Sequence, residues 1–461
     1  MKKTLKVVLF AAAVLMLTAW NASAAKAKKA KKSKAKAVTI NLWSFTDEVP
    51  GMVEKYIAAH PDCGFTVNTT IIATTDGAYQ PALDQALQGG GKDAPDIYCA
   101  ESAFVLKYTK GDMESYAMPY KDLGIDINKA VKDADIAQFT IDIGSNTKGE
   151  IDGLAYQSTG GCYIYRRSVA KAVFGSDDPK VVQAAIGGGS GSWDKYWDAA
   201  EKCAAKGYAI VSGDGDIWHA VENSSDKGWI VNGKLYIDPK REALLDYSKK
   251  LTDNGWSNQT TDWTDAWYAD MAEIGEKPVL GFFGPAWLIN YVMAGNAKDT
   301  YGDWAVCNSP VGFFWGGTWV LASKAAAKDK NKKAVVKDII EWITLNPTKD
   351  GLLYQWANGT FQWKYEKGAD ATVNTKDTVS SGVVMGISDG KLDFLKGQNM
   401  FDYFVPAGAY ANGKNLTQYD EGINALWRDQ VRAYANGQKS RAAAIKDFKQ
   451  GVTDKYGIDV D

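Results

Sequence analysis

An α/β fold divided into two domains, with mainly parallel sheets, is what the 461-residue sequence predicts. Segments rich in β-formers alternate with helical stretches of roughly 10–15 residues, the rhythm of βαβ units. That rhythm runs from residue 38 and restarts after Gly149. The length exceeds the roughly 100–200 residues of a single domain, so each half is large enough to bury its own core. With 46% hydrophobic and 23% charged residues the composition is that of an ordinary globular chain, which excludes disordered and collagenous classes. No apolar run after residue 20 approaches the ~20 residues that a membrane-spanning helix needs.

Taken in order, Val38–Phe45 reads as the opening strand, followed by a helix over Pro50–Ala59 and a second strand over Gly64–Ala73. A helix over Tyr79–Gln88 keeps Leu83 and Leu87 on one side, and Gly89–Gly91 stop it before the short strand Asp96–Ala100. In the second half Leu154–Tyr165 is extended, and Trp193–Ala205 is a helix with Trp193, Trp197 and Ala200 at helical spacing. Strands follow at Lys277–Phe283, Asp303–Ser309 and Gly316–Ala322. Helices over Lys332–Thr344, Leu416–Ala435 and Arg441–Tyr456 complete the pattern, and no repeat of 20–50 residues is visible.

The formal net charge of −2 conceals a split: the first 37 residues hold ten lysines and no acid, so residues 38–461 carry 43 basic against 55 acidic groups, a net of −12. A body that acidic is a poor match for nucleic acid. Lys2, Lys3 and Lys6 precede an apolar stretch from Val7 to Trp20 and then Ala22-Ser23-Ala24, the parts of a secretory signal peptide cut after Ala24. No cysteine stands near that cut, so the expectation is a free protein in the periplasm rather than a lipoprotein. Residues 25–37 form an Ala/Lys tail that reads as a solvated tether, or as a basic segment touching anionic polymer or lipid.

Several chemistries are disfavoured by the motifs. Gly89-Gly90-Gly91-Lys92 is followed by Asp93 and lacks the P-loop pattern, and Asp214-Gly215-Asp216 lacks the later ligands of an EF-hand and reads as a turn. Five cysteines without CxxC spacing and only two histidines, His60 and His219, give no metal motif, and no GxSxG elbow is present; neither a metal nor a cofactor is expected. Paired carboxylates for glycoside hydrolysis stay open, because 55 acids offer many pairs.

The 17 tryptophans are the most informative residues. Trp43 ends the first strand, Trp287 follows Gly284-Pro285, and Trp315 and Trp319 flank Gly316-Gly317. A strand-end indole beside glycine has an uncovered flat face, suited to the C–H side of a pyranose whose hydroxyls are met by Asp, Glu, Asn and Gln. The alternative for each is a place in the core, which is the expectation for Trp193, Trp197, Trp342 and Trp427 at helical spacing.

In order, Ile40–Trp43, Ala94-Pro-Asp-Ile97, Gly153–Tyr156 leading to Tyr163–Arg166, Ser192-Trp193-Asp194, Lys277–Trp287, and Val306–Pro310 before Gly316–Trp319 make a recognisable series. The chain resembles the carbohydrate-binding extracytoplasmic solute-binding proteins of ABC importers, the group that includes maltose-binding protein, over essentially all of residues 38–461. That resemblance implies a two-lobed type II fold with a hinge and a ligand cleft. It implies lobe one at 38–156 plus 311–350 and lobe two at 157–308 plus 351–461, with crossings near 156–162, 307–312 and 346–356. Its implied ligand contacts are Trp43, Glu48, Asp76, Glu101, Gln157, Thr159, Trp287, Gly317 and Trp319, with Asp216 and Trp218 as weaker candidates. Thr159 stands where relatives often carry a carboxylate. Cys162 and Cys307 lie on crossing strands that run side by side in such proteins, so the resemblance admits a hinge disulfide beside two buried thiols. The implied function is capture of a mono- or oligosaccharide by a monomeric, non-enzymatic receptor and its delivery to membrane permease subunits. The rivals are an exported glycoside hydrolase and a receptor of the same fold for a non-sugar solute.

Overall fold

The computed structural model describes residues 38–74, 77–361 and 376–460. The export segment and the lysine tail lie outside them. The described strands are β1 (Val38–Ser44), β2 (Phe65–Ile71), β3 (Ile97–Glu101), β4 (Ala117–Met118), β5 (Gly153–Ala155), β6 (Gly161–Arg166), β7 (Ile230–Val231), β8 (Lys234–Leu235), β9 (Gly281–Pro285), β10 (Trp304–Cys307) and β11 (Thr318–Ser323). In the first sheet β2, β1 and β3 are parallel, and the helices Glu48–Ala59 and Tyr79–Gly89 are their crossovers. β11 then pairs antiparallel with β3, β4 and β5.

The second sheet differs from the expected parallel arrangement. β10, β6 and β9 form an antiparallel ladder, and parallel pairing there is limited to bridges such as Ala209–Val279 and Val211–Ser257. The reason is topological: β6 enters from the first lobe, so it runs against the strands native to the second. β11 returns the other way and is antiparallel in the first sheet for the same reason.

Strand alternation divides each lobe into two cores. Along β3 and β11, Ile97, Cys99, Val320 and Ala322 face one core with Ile40, Leu42 and Ile340, whereas Tyr98, Ala100, Trp319 and Leu321 face the other with Tyr79 and Phe104. In the second lobe Tyr163, Tyr165 and Cys307 share a core with Trp193, Trp197 and Trp427, while Cys162 and Ile164 face Phe282, Trp304 and Phe404. The pleat therefore puts Cys162 and Cys307 on opposite faces of the sheet, and both are buried free thiols rather than a hinge disulfide.

The crossings follow from these cores. The first runs between Tyr156 and Gly161, and the second between Phe313, in the second lobe's core, and Phe314, in the first's. Leu352, Leu353, Trp356, Val379 and Val384 pack with the first sheet, and Leu392 onward with the second. The third crossing accordingly falls beyond Val384, not near 346–356. Helical periodicity marks a buried face without saying which lobe buries it, so residues 352–361 and 376–384 were assignable only from tertiary packing.

Candidate functional site

A cavity of about 320 Å³ opens between the lobes. From lobe one, the end of β3 contributes Glu101, Ser102 and Ala103; from the second crossing come Phe314, Trp315 and Gly316. The helix Asp214–Asn223 presents Trp218 and Glu222, four residues apart and so on one face, together with His219 and Asn223. Asp216 fixes the start of that helix: its carboxylate accepts from the Gly213 N–H (3.1 Å) and from Trp267 Nε1 (3.0 Å), so Asp214–Asp216 begins a helix rather than an isolated turn. Opposite, the helix Asp420–Ala435 shows Glu421, Asn424, Ala425 and Arg428 to the cavity at i, i+3, i+4 and i+7, while Ile423, Trp427 and Val431 anchor its other side in the core. Asp262 and Trp263 complete the wall, and Trp263 is 45% exposed.

Three indoles meet at its edge. Trp287 donates from Nε1 to the Trp315 carbonyl (3.0 Å), and the two rings stand 4.7 Å apart at 65°. Trp263 lies within 10° of the Trp287 plane at 6.2 Å and at 71° to Trp315 at 5.9 Å. His219 stacks on Trp315 at 3.9 Å and 13°, its Nδ1 3.8 Å from Glu222 Oε2. Burial, only partly opposed by Glu222, lowers the His219 pKa and favours the neutral ring.

Glu101 accepts from the Ala103 N–H (2.7 Å) and Ser102 Oγ (2.8 Å). Burial nevertheless pushes its pKa up to about 7, and the like charges of Glu421 and Glu222 add to the shift. Asp262 is paired with Arg428 and, at 3.4 Å, with Arg432, which holds its carboxyl below the usual range despite burial.

The lobes touch across this cavity. The Gln80 amide donates to Glu421, and the Asp112 N–H donates to Gln418 Oε1 (3.0 Å). Ala411 and Leu416 reach into the lobe-one core that holds Phe139 and Trp319, while Asn415 donates to the Ser225 carbonyl at 2.6 Å. The arrangement is a closed one, with groups from both lobes facing a common space.

Of the sequence candidates, Glu101 and Trp218 line the cavity, and Trp287 reaches its edge: a Cβ on Gly316 would meet Trp287 Cζ2 at 3.4 Å and Glu101 Oε1 at 3.5 Å. Thr159 is buried and donates to the Gly316 carbonyl (3.0 Å), so it shapes the turn that carries Trp315. Gly317, at φ +111°, lies so close to Trp319 that a Cβ would be 3.2 Å from its ring. Trp43 is half-buried in lobe one, where its carbonyl accepts from Tyr79 Oη (3.3 Å), and Asp216 serves the helix start; neither lines the cavity. Trp319 is a correction. It is fully enclosed, and its Nε1 donates to the Thr140 carbonyl (3.0 Å), because strand parity turns it into the core opposite Ala100. Asp76 lies outside the described residues. Trp263, His219, Glu222, Asn223, Asn424 and Arg428 are cavity residues that the sequence reading missed.

Glu48 and Gln157 lie together away from the cavity, at the base of the first crossing. Tyr156 Oη donates to Glu48 Oε2 (2.8 Å), and Gln157 Nε2 donates to Asp377 Oδ2 (3.1 Å). Burial pushes Glu48 up to about 7 and Asp377 up to about 6. A carboxyl whose folded pKa is raised stabilises the fold fully below its unfolded pKa, and that contribution is lost as pH rises through the folded one. Glu48→Gln, a mimic of the protonated acid, is therefore expected to gain stability relative to the parent between about pH 4.5 and 7, by on the order of 3 kcal/mol. Urea unfolding of both proteins across that range measures it; a constant difference would mean that Glu48 ionises normally.

No protein-family model and no curated protein sequence matches the chain. Solved structures do match in shape. A family 1 extracellular solute-binding protein superposes with a TM-score of 0.65 at 19% identity, covering 90% of this chain and 99% of its own. The fold is that of an extracellular solute-binding protein. The galacto-N-biose/lacto-N-biose I-binding protein of a Bifidobacterium longum ABC transporter, solved with lacto-N-biose, gives 0.65 at 15% identity and covers 93% and 100%. The sugar-binding protein MalE of Xanthomonas citri gives 0.63 at 14% identity and covers 90% and 97%. The expected two-lobed α/β architecture is thus present across the described chain, and among the described residues no helix is long and apolar enough to cross a membrane.

Proposed function

We propose that the protein is an extracytoplasmic receptor that captures a mono- or oligosaccharide between its lobes and delivers it to an ABC import permease. The observation that carries this reading is the interlobe cavity, in which the Trp263 and Trp315 indoles stand with hydrogen-bonding groups of both lobes around one space of about 320 Å³. Indole faces suit the C–H side of a sugar ring, and Glu101 and Glu421 suit hydroxyls. The sugars held by neighbours of this fold support the same reading.

The mechanism is capture without turnover. A solute touching groups of both lobes favours the closed form, because an open form offers it only half of those contacts. A permease that reads closure then accepts loaded receptor. The receptor acts as a monomer, exported by residues 1–24 and tethered or spaced by residues 25–37. Specificity comes from matched hydrogen bonds, since each unmatched buried donor or acceptor costs about 1–3 kcal/mol.

A thermal-shift survey of sugars and other solutes tests this, because a ligand of the native state alone stabilises it by RT ln(1 + [L]/Kd). Sugars should raise the midpoint and be recovered intact after long incubation. Silence toward all sugars with a response to another class overturns the saccharide reading, and hydrolysed sugar overturns the receptor reading. Intrinsic fluorescence should change on binding, since Trp263 and Trp315 line the cavity; a flat response to a sugar that calorimetry shows to bind would place the site elsewhere.

A further inference from the structure

We infer that the solute is a cationic sugar, an amino sugar with a free ammonium group, selected by the unpaired carboxylates of the interlobe cavity. The inference rests on the saccharide reading of that cavity and narrows it to a class.

The charge balance of the wall is the first observation. Four acids line it: Glu101, Glu222, Asp262 and Glu421. Arg428, the one Lys or Arg among the described lining residues, is ion-paired with Asp262 and acts on Glu222 only at longer range. Among the described residues no Lys or Arg forms an ion pair with Glu101, Glu222 or Glu421. Lys107 and Lys455 act on Glu421 only at longer range, and Lys107 is itself paired with Asp84. Arg241 lies toward Glu222 but outside the wall, its Nη1 donating to the Lys227 carbonyl. His219 faces Glu222 as a neutral ring. Three carboxyls thus face a partly desolvated space without an ion-pair partner, Glu222 meeting Arg428 and Arg241 only at longer range, and an opposite charge placed there interacts more strongly than it does in water.

The hydrogen-bond balance points the same way. Several donors of the wall are turned inward: Asn223 Nδ2 serves the carbonyls of His219 (3.1 Å) and Phe314 (2.7 Å), and Asn424 Nδ2 serves Glu222. Ser102 Oγ and the Ala103 N–H serve Glu101. Acceptors remain. With its Nδ1 toward Glu222, His219 keeps Nε2 as a buried atom with no protein partner. A wall rich in acceptors calls for a solute rich in donors, and an ammonium brings three donors and no acceptor. A neutral sugar hydroxyl brings an acceptor with every donor. The exposed Trp263 indole and the Trp315 face add attraction for a cation as well as for C–H groups.

Calorimetry and thermal shift at neutral pH with glucosamine and β-1,4-linked diglucosamine, their N-acetylated counterparts, maltose, and the sugar-free cation spermidine test the inference. The free amines are expected to bind at least about tenfold tighter than their N-acetylated forms, with an advantage that shrinks as salt rises. Glu101→Gln and Glu421→Gln should each narrow that ratio to about threefold or less. Because Glu421 also bonds to Gln80, Glu222→Gln is the reserve variant if Glu421→Gln unfolds. Equal or tighter binding of the neutral sugars overturns the ammonium inference and leaves the saccharide reading standing. Binding of spermidine alone overturns the saccharide reading, and with it the amino-sugar class. A ratio unmoved in folded Glu101→Gln and Glu421→Gln overturns the assignment of selection to these carboxylates.

Discussion

Trp319→Ala is expected to lower the stability of the protein by about 3–5 kcal/mol, the range for removing a large aromatic side chain from a packed interior. The indole has no exposed surface and stands edge-on to Phe139 at 6.3 Å. Its surroundings leave little room to collapse: a Cβ on Gly144 would already lie 3.2 Å from Trp319 Cδ1, and one on Gly317 3.2 Å from Cζ3. The variant also removes the indole hydrogen bond to the Thr140 carbonyl inside the core. Urea unfolding followed by circular dichroism measures the effect as a lower midpoint at unchanged slope. A loss below about 1 kcal/mol would take Trp319 out of the core and return it to the ligand candidates. Trp319→Phe should recover most of the packing without the indole hydrogen bond, separating the two contributions.

Trp319 also shows where sequence reasoning runs out. A tryptophan beside a glycine pair satisfies the criteria for an uncovered indole equally at position 315 and at position 319. What distinguishes them is the register of β11 against β3, which sets Trp319 opposite Ala100 and turns it inward. Register depends on a partner more than 200 residues away, and one residue of slip would turn every side chain to the other face. The places of Glu101 and Trp287 beside the cavity were legible because each stands at or just past the end of a strand, β3 and β9, which is a local feature.

The helical half of the cavity was not legible for a physical reason. Glu421, Asn424 and Arg428 are polar residues on one helix face, a pattern indistinguishable from a solvated surface until another lobe closes over it. Trp263 carries neither signal, since it sits in a loop with a left-handed backbone (φ +66°) and follows no strand. Glu48 misled in the opposite sense: it follows the first strand, as a ligand residue would, but Tyr156 takes its carboxyl into the hinge region. The lobe boundary near residue 350 failed similarly, because the amphipathic segment from Leu352 has a buried face whose partner is the first sheet.

Trp315→Ala is expected to produce the largest loss of binding of any single substitution in the cavity, about 30- to 100-fold, equivalent to about 2–3 kcal/mol for a central aromatic anchor. Trp315 belongs to the second crossing, its N–H donating to the Thr159 carbonyl (3.1 Å) and its own carbonyl accepting from Trp287. Those are backbone bonds, so alanine preserves them and the turn should persist. What disappears is the ring that covers His219 and stands against Trp263 and Trp287. Unlike Trp319, this indole is only half-buried, so the cost to folding should stay well below that of Trp319→Ala. Trp315→Phe should restore part of the affinity, because a smaller flat ring still offers a face to the solute. Titration calorimetry with a sugar found in the survey, run beside urea unfolding, separates the two quantities. If affinity holds while stability falls, Trp315 is a hinge-packing residue and the solute lies beyond its reach. If affinity falls while unfolding stays cooperative, the aromatic edge of the cavity is where the solute rests.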